Sequence, residues 1–142
     1  APNISKLAED IETSRATVMN YVKNLADARL INMLHSPDEV FPKKPSRVLL
    51  HNSNLLYAIY PINAEVQEIM ETFAVNCLWK DHKISQPAHE KFFLINKERT
   101  FRVIDAKRQN KVRMDKSTLY FRYNTDIGAS NMIPIWILGF LY

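Results

Sequence analysis

Two short apolar stripes near the start of the chain are separated by three residues that fit neither, and this spacing restricts the fold more than any other feature. Ile4, Leu7, Ala8 and Ile11 recur at the interval of one helix face. Asn3 stands just ahead of them, a residue type that caps a helix by accepting from a first-turn amide. A helix over residues 4–11 is predicted. Glu12-Thr13-Ser14 then interrupts the stripe, and Ser14 is positioned to cap a second helix, 15–27, with Val18, Val22, Leu25 and Ala26 inward. The pattern becomes extended at Leu30 to Leu34 and again at Arg47 to Leu50. Pro37, Pro42 and Pro45 in the intervening segment forbid a continuing helix and suit an exposed loop. Two helices, a three-residue turn and a hairpin with a basic, proline-stiffened tip make a winged helix-turn-helix, the hairpin being the wing.

If Val18, Val22 and Leu25 point inward, Arg15, Thr17, Asn20 and Lys23 remain on the outer side of the second helix, most of them in its first half. Arg forks onto a guanine edge or a phosphate, Asn pairs with adenine, and the hydroxyls of Ser14 and Thr17 suit phosphate oxygens. Lys43, Lys44 and Arg47 of the wing add backbone contacts. The candidate nucleic-acid residues are therefore Ser14, Arg15, Thr17, Asn20, Lys23, Lys43, Lys44 and Arg47, and double-stranded DNA is the candidate ligand. Against this, residues 1–52 hold seven basic and six acidic side chains, less basic than a strong non-specific binder. The same fold also serves as packing between protein domains.

After the hairpin, Asn52-Ser53-Asn54 starts a short helical turn over 55–59, which Pro61 ends. A boundary is placed there, giving one domain over 1–60 and a second over 61–142. Residues 64–80 read as a longer helix with Val66, Ile69, Met70, Phe73, Ala74, Cys77 and Leu78 spaced by three and four. Beyond Lys83 the clearest strands are 92–95, 100–104 and 118–123, so a helix packed on a small sheet is expected.

Several classes of chemistry are excluded or disfavoured. Gly128 and Gly139 are the only glycines in 142 residues, so no glycine-rich loop can wrap a phosphate. Cys77, the single cysteine, has no disulfide partner within the chain and reads as core on an apolar helix face, and a reducing, cytoplasmic setting is expected. His35, His51, His82 and His89 lack metal-ligand spacing. The uncharged run 132–142 is shorter than the roughly 20 residues of a membrane-spanning helix and reads as buried core, with Trp79 and Trp136 filling space. No catalytic, metal or cofactor residue is assigned, and no membrane partner. The net charge of +4 is concentrated: residues 97–116 alone carry a balance of +5, which suits either a solvated face or a phosphate contact.

Several strings carry a family resemblance: Asn3-Ile4-Ser5-Lys6-Leu7-Ala8, Ser14-Arg15, Tyr21-Val22, Leu30-Ile31, and Val48-Leu49-Leu50-His51-Asn52-Ser53-Asn54-Leu55-Leu56-Tyr57-Ala58. They continue in Glu71-Thr72-Phe73 with Asn76, in Phe93-Leu94-Ile95, and in the closing Ile133-Pro134-Ile135-Trp136-Ile137-Leu138-Gly139-Phe140-Leu141-Tyr142. Together they resemble the C-terminal region of a bacterial and archaeal group of predicted AAA-type ATPases. That resemblance implies a P-loop ATPase core ahead of the winged helix, and behind it a small α/β domain similar to the PD-(D/E)XK nuclease fold. The expected class is thus α+β, a winged helix-turn-helix followed by a nuclease-like domain with a helix on a mixed sheet. The chain then reads as a non-catalytic piece of a larger ATPase that binds DNA, docks on its own N-terminal ATPase domain, or both. ATP and magnesium belong to that missing domain and none to this piece. The alternatives are a protein-interaction module without DNA binding and a metal-dependent nuclease. The nuclease would need paired acids with a lysine two residues on. Phe92 and Arg102 stand where acids can be found in the resembling family, leaving only Asp105-Ala106-Lys107, which Glu71 of the long helix could face, and one such match does not rebuild the site.

Overall fold

A computed structural model describes residues 2–60, 64–107 and 114–141. The class is α+β, with a two-stranded and a five-stranded sheet.

Helix α1 (Ile4–Asp10) begins where Asn3 Oδ1 accepts from the Lys6 amide, and α2 (Arg15–Asp27) where Ser14 Oγ accepts from the Thr17 amide. Both helices stop in the same way. Behind α1 the Thr13 amide reaches back to Ala8 O and Glu12 to Glu9 O; behind α2 Leu30 reaches Leu25 O and Arg29 reaches Ala26 O. This paired closure needs a left-handed residue after the cap, a place usually given to glycine. Here Glu12 and Arg29 take it, with φ of 52° and 56°. The turn between the helices is therefore made without glycine, at a local conformational cost.

Only Ile4, Ala8 and Val18 are buried between α1 and α2, with Met19 and Val22 packed beside them. Leu7, Ile11 and Leu25, expected inside, are 43%, 51% and 43% exposed. Two helices alone present too little surface to cover stripes this wide, so the outer part of each stripe faces solvent.

Strands β1 (Ile31–Leu34) and β2 (Arg47–Leu50) pair antiparallel, Ile31 opposite Leu50 and Leu34 opposite Arg47. Helix α3 (Ser53–Ile59) follows, capped by the Asn52 side chain on the Asn54 amide. Pro61, the expected boundary, lies outside the described residues. Helix α4 (Val66–Trp79) then packs on the second sheet, whose strands β3 (Ile84–Ser85), β4 (Phe93–Ile95), β5 (Arg99–Asp105), β6 (Leu119–Tyr123) and β7 (Met132–Pro134) lie in chain order. The sheet is mixed. β3, β4 and β5 run antiparallel, whereas β5, β6 and β7 are parallel.

The main core joins α4 (Ala74, Val75, Cys77, Leu78) to the sheet through stacked Phe93 and Phe101, 4.9 Å between ring centroids, with Phe121 edge-on to Phe101 at 5.4 Å. Leu34 and Leu49 belong to this same core. The hairpin, though drawn from the first 60 residues, thus buries its inner face against the second half of the chain. Cys77 is buried there, as its spacing predicted, and Trp79 packs partly buried against the same core. The end of the chain departs from expectation. It forms β7 and a 3-10 turn, Ile135–Phe140, that buries Ile135 and Leu138 but leaves Trp136 at 48% and Phe140 at 78% exposure. A helix of three residues per turn brings every third side chain to one face, and the rest of an apolar run is then left outside. Among the described residues, no helix is long and apolar enough to cross a membrane.

Candidate nucleic-acid interface

The hairpin loop, residues 35–46, is held against the second sheet from several sides. Gln86 donates its amide to His35 O at 3.0 Å, and Ser46 Oγ lies 2.6 Å from Gln86 O. At the tip, Asp38 pairs with Lys97, whose hydrogen bond first and whose charge second hold the Asp38 carboxyl below its ordinary value, Lys83 adding to the effect. His35 Nε2 donates to the Lys43 carbonyl at 3.1 Å in the tautomer this contact requires. The loop is thereby a platform with a defined position beside α2.

That position decides what becomes of the eight candidate residues. Arg15 and Asn20 of α2 and Lys44 of the loop line one cleft of about 430 Å³, together with Met19, Phe41 and Pro42. Lys23 turns to the edge of this region: its ammonium pairs with Asp27 at 2.6 Å and stands 5.8 Å over the Phe41 ring. Ser14 and Thr17 serve the helix start, their hydroxyl oxygens 2.8 Å apart while Ser14 Oγ also accepts the Thr17 amide. Lys43 is exposed and bonds Glu39 at 3.2 Å, one turn back along the loop.

Arg47 goes elsewhere. Its Nη1 lies 2.6 Å from Glu71 Oε2 of α4, and the guanidinium sits 5.8 Å over the ring of Phe93. The reason is strand geometry. Arg47 is the first residue of β2 and its side chain is carried with the strand toward α4, whereas Lys43 and Lys44 precede the strand and stay on the loop. Phe41 is the residue that the sequence reading passed over. The available signal was an aromatic side chain inside a proline-rich loop, two residues before Lys43 and Lys44.

The cleft brings together a planar guanidinium, an ammonium, a carboxamide and apolar walls. Among the described residues that line it there is no acid. It is therefore suited to an anionic ligand with flat apolar parts. Of the basic run 97–116, Arg108, Lys111 and Arg113 lie outside the described residues, and Lys97 is committed to Asp38.

The acids that a nuclease would use are differently engaged. Glu71 receives Arg47 on one oxygen and the Gln67 carboxamide on the other, at 2.6 and 2.7 Å. Gln67 also donates to Val103 O and accepts from Tyr123 Oη, tying α4 to β5 and β6. Asp105 accepts from Asn124 Nδ2 at 3.0 Å and from the Lys107 amide at 2.9 Å. The described residues hold no group of three or more His, Cys, Asp or Glu side chains able to take a metal. Glu71 is thus engaged by a guanidinium and a carboxamide. No protein-family model, curated protein or solved structure matches the chain.

Proposed function

We propose that this chain is a non-catalytic accessory region of a P-loop AAA-type ATPase, a winged helix followed by a nuclease-like α/β domain, which contacts nucleic acid through α2 and the hairpin loop. The observation that carries the nucleic-acid reading is the acid-free cleft where Arg15, Asn20 and Lys44 meet. Its electrostatics suit phosphate, and its mixture of carboxamide and apolar wall suits a base. The antiparallel hairpin beside two capped helices supports the winged-helix reading, and α4 on a mixed sheet supports the nuclease-like one. ATP and magnesium belong to the ATPase domain of the parent protein. Titration of labelled DNA at low salt tests the proposal: binding is expected, and Arg15→Ala and Lys44→Ala weaken it. Absence of binding, or binding indifferent to both substitutions, discards it.

A second reading has its own support. Leu7 and Ile11 on α1, and Tyr21 and Leu25 on α2, form two exposed i,i+4 apolar pairs. Such surface suits docking on the ATPase domain, and Leu7→Lys with Leu25→Lys should abolish capture by that domain while leaving DNA binding intact. For the nuclease alternative the expected result is plasmid left uncut with magnesium or manganese. Cleavage that Asp105→Asn abolishes overturns the non-catalytic reading.

A further inference from the structure

We infer, on the basis of that nucleic-acid reading, that the cleft between α2 and the hairpin loop takes an unpaired base of a single strand, and that α2 is not laid in the groove of a duplex. Shape favours a single strand. The DNA major groove is about 12 Å wide, and a helix with its side chains is about 10–12 Å across. A duplex reader must therefore protrude. Here Arg15 and Asn20, the side chains that would have to reach base edges, share a concave lining with Phe41 and Pro42 of the loop. Base edges approached along α2 would therefore meet Phe41 and Pro42 beside Arg15 and Asn20.

The chemistry of the lining favours it as well. A base removed from its stack presents two flat apolar faces, an edge of donors and acceptors, and a phosphate on either side. Phe41, Met19 and Pro42 offer apolar walls, Asn20 offers a donor and an acceptor, and Arg15 and Lys44 supply one cation from each side of the cleft. The cleft is open to solvent along one side, and its volume of about 430 Å³ falls within the roughly 300–1,000 Å³ of small-ligand sites.

The wall is also fixed in advance. Lys23 stands over the Phe41 ring, and the loop that carries the ring is anchored through Asp38 to Lys97 and through Ser46 to Gln86. Ordering the aromatic platform is thus already accomplished in the free protein. The neighbouring cavity under the loop, about 280 Å³, carries no comparable assignment, because Asp38 and Glu39 in its lining balance Lys83 and Lys97.

The test uses the whole chain and fluorescence anisotropy at low salt, with labelled oligo-dT, oligo-rU, a hairpin duplex of equal length, and a dT strand carrying a run of abasic sites. The dT or the rU strand should bind at least tenfold tighter than the duplex, the two arms telling DNA from RNA. Phe41→Ala and the abasic run should each weaken binding about tenfold, the scale of one base–aromatic contact, while Phe41→Tyr retains it. With Arg15 and Lys44 on two phosphates, log Kd should change with log salt by about 1.4, and by about half that in Lys44→Gln. Circular dichroism of Phe41→Ala checks that the loop change leaves the fold intact, and the abasic strand gives the same answer without any substitution. Duplex binding equal to or tighter than either strand, or abasic binding equal to intact dT, overturns the inference and leaves the nucleic-acid reading standing. Failure of every probe to bind removes that reading itself.

Discussion

Replacing Arg47 by alanine removes the only described ion pair between the hairpin and α4, and its cost follows from where the two side chains lie. Glu71 is 11% exposed and Arg47 27%, with 2.6 Å between Nη1 and Oε2. A hydrogen bond between charged groups contributes about 1.5–3 kcal/mol, and stripping one partner from a fully buried pair costs about 3–5 kcal/mol. The partial exposure of Arg47 places the loss near the lower range, and the guanidinium over Phe93 adds about 0.5–1 kcal/mol. A total of about 3 kcal/mol is expected. At about 2–4 °C per kcal/mol for a chain of this length, the melting temperature falls by about 6–12 °C. Urea unfolding followed by circular dichroism measures the free energy. Arg47→Met, which keeps apolar bulk but no cation, should recover only a minor part of the loss, and a double-mutant cycle with Glu71→Gln should return most of the remainder as coupling. A loss below about 1 kcal/mol, accompanied by weakened nucleic-acid binding, would show Arg47 acting from the loop as a phosphate contact and would refute this account.

Three further outcomes are expected. Asn32, 3% exposed, donates to Asn76 Oδ1 at 2.6 Å, so Asn76→Ala strands a buried amide and should cost about 1–3 kcal/mol, whereas Asn76→Asp keeps the acceptor and should cost less. Arg29→Gly places the preferred residue at a left-handed helix end and should raise stability by about 0.5–1 kcal/mol in the same urea assay, with unchanged stability counting against the strain. The Asp38 carboxyl should titrate below 3.8 by NMR, because Lys97 bonds and attracts it. A depressed folded pKa means that the tether is fully present above 3.8 and is lost as pH falls through the folded value, and Lys97→Met should return the midpoint toward 3.8.

Much of the local structure was legible. Asn3, Ser14 and Asn52 each have a side-chain oxygen that reaches an amide within three residues, and all three start helices. The strands 92–95, 100–104 and 118–123 were located to within a residue or so, since period-two burial is a local property. The two-residue β3 and the three-residue β7 were not located, being too short to show a period. The ends of α1 and α2 were placed to within a residue by the break in each apolar stripe, even though Glu12 and Arg29 stand where glycine usually marks the stop. For the candidate site, Arg15, Asn20 and Lys44 were found from residue type and helical phase, and Phe41 was not, since its neighbours along the chain do not reveal that it stands across from α2.

What the sequence determined by itself is where each helix and most strands begin and which face of each is apolar, because caps and periodicity act over a few residues. The tertiary structure alone decided what those faces meet. It sent Arg47 to Glu71 and the hairpin's leucines into the second core, and it left Leu7, Ile11, Leu25 and Trp136 at the surface. Apolar period tells that a face can be buried; burial itself needs a second surface of matching extent, and that surface comes from residues distant in the chain.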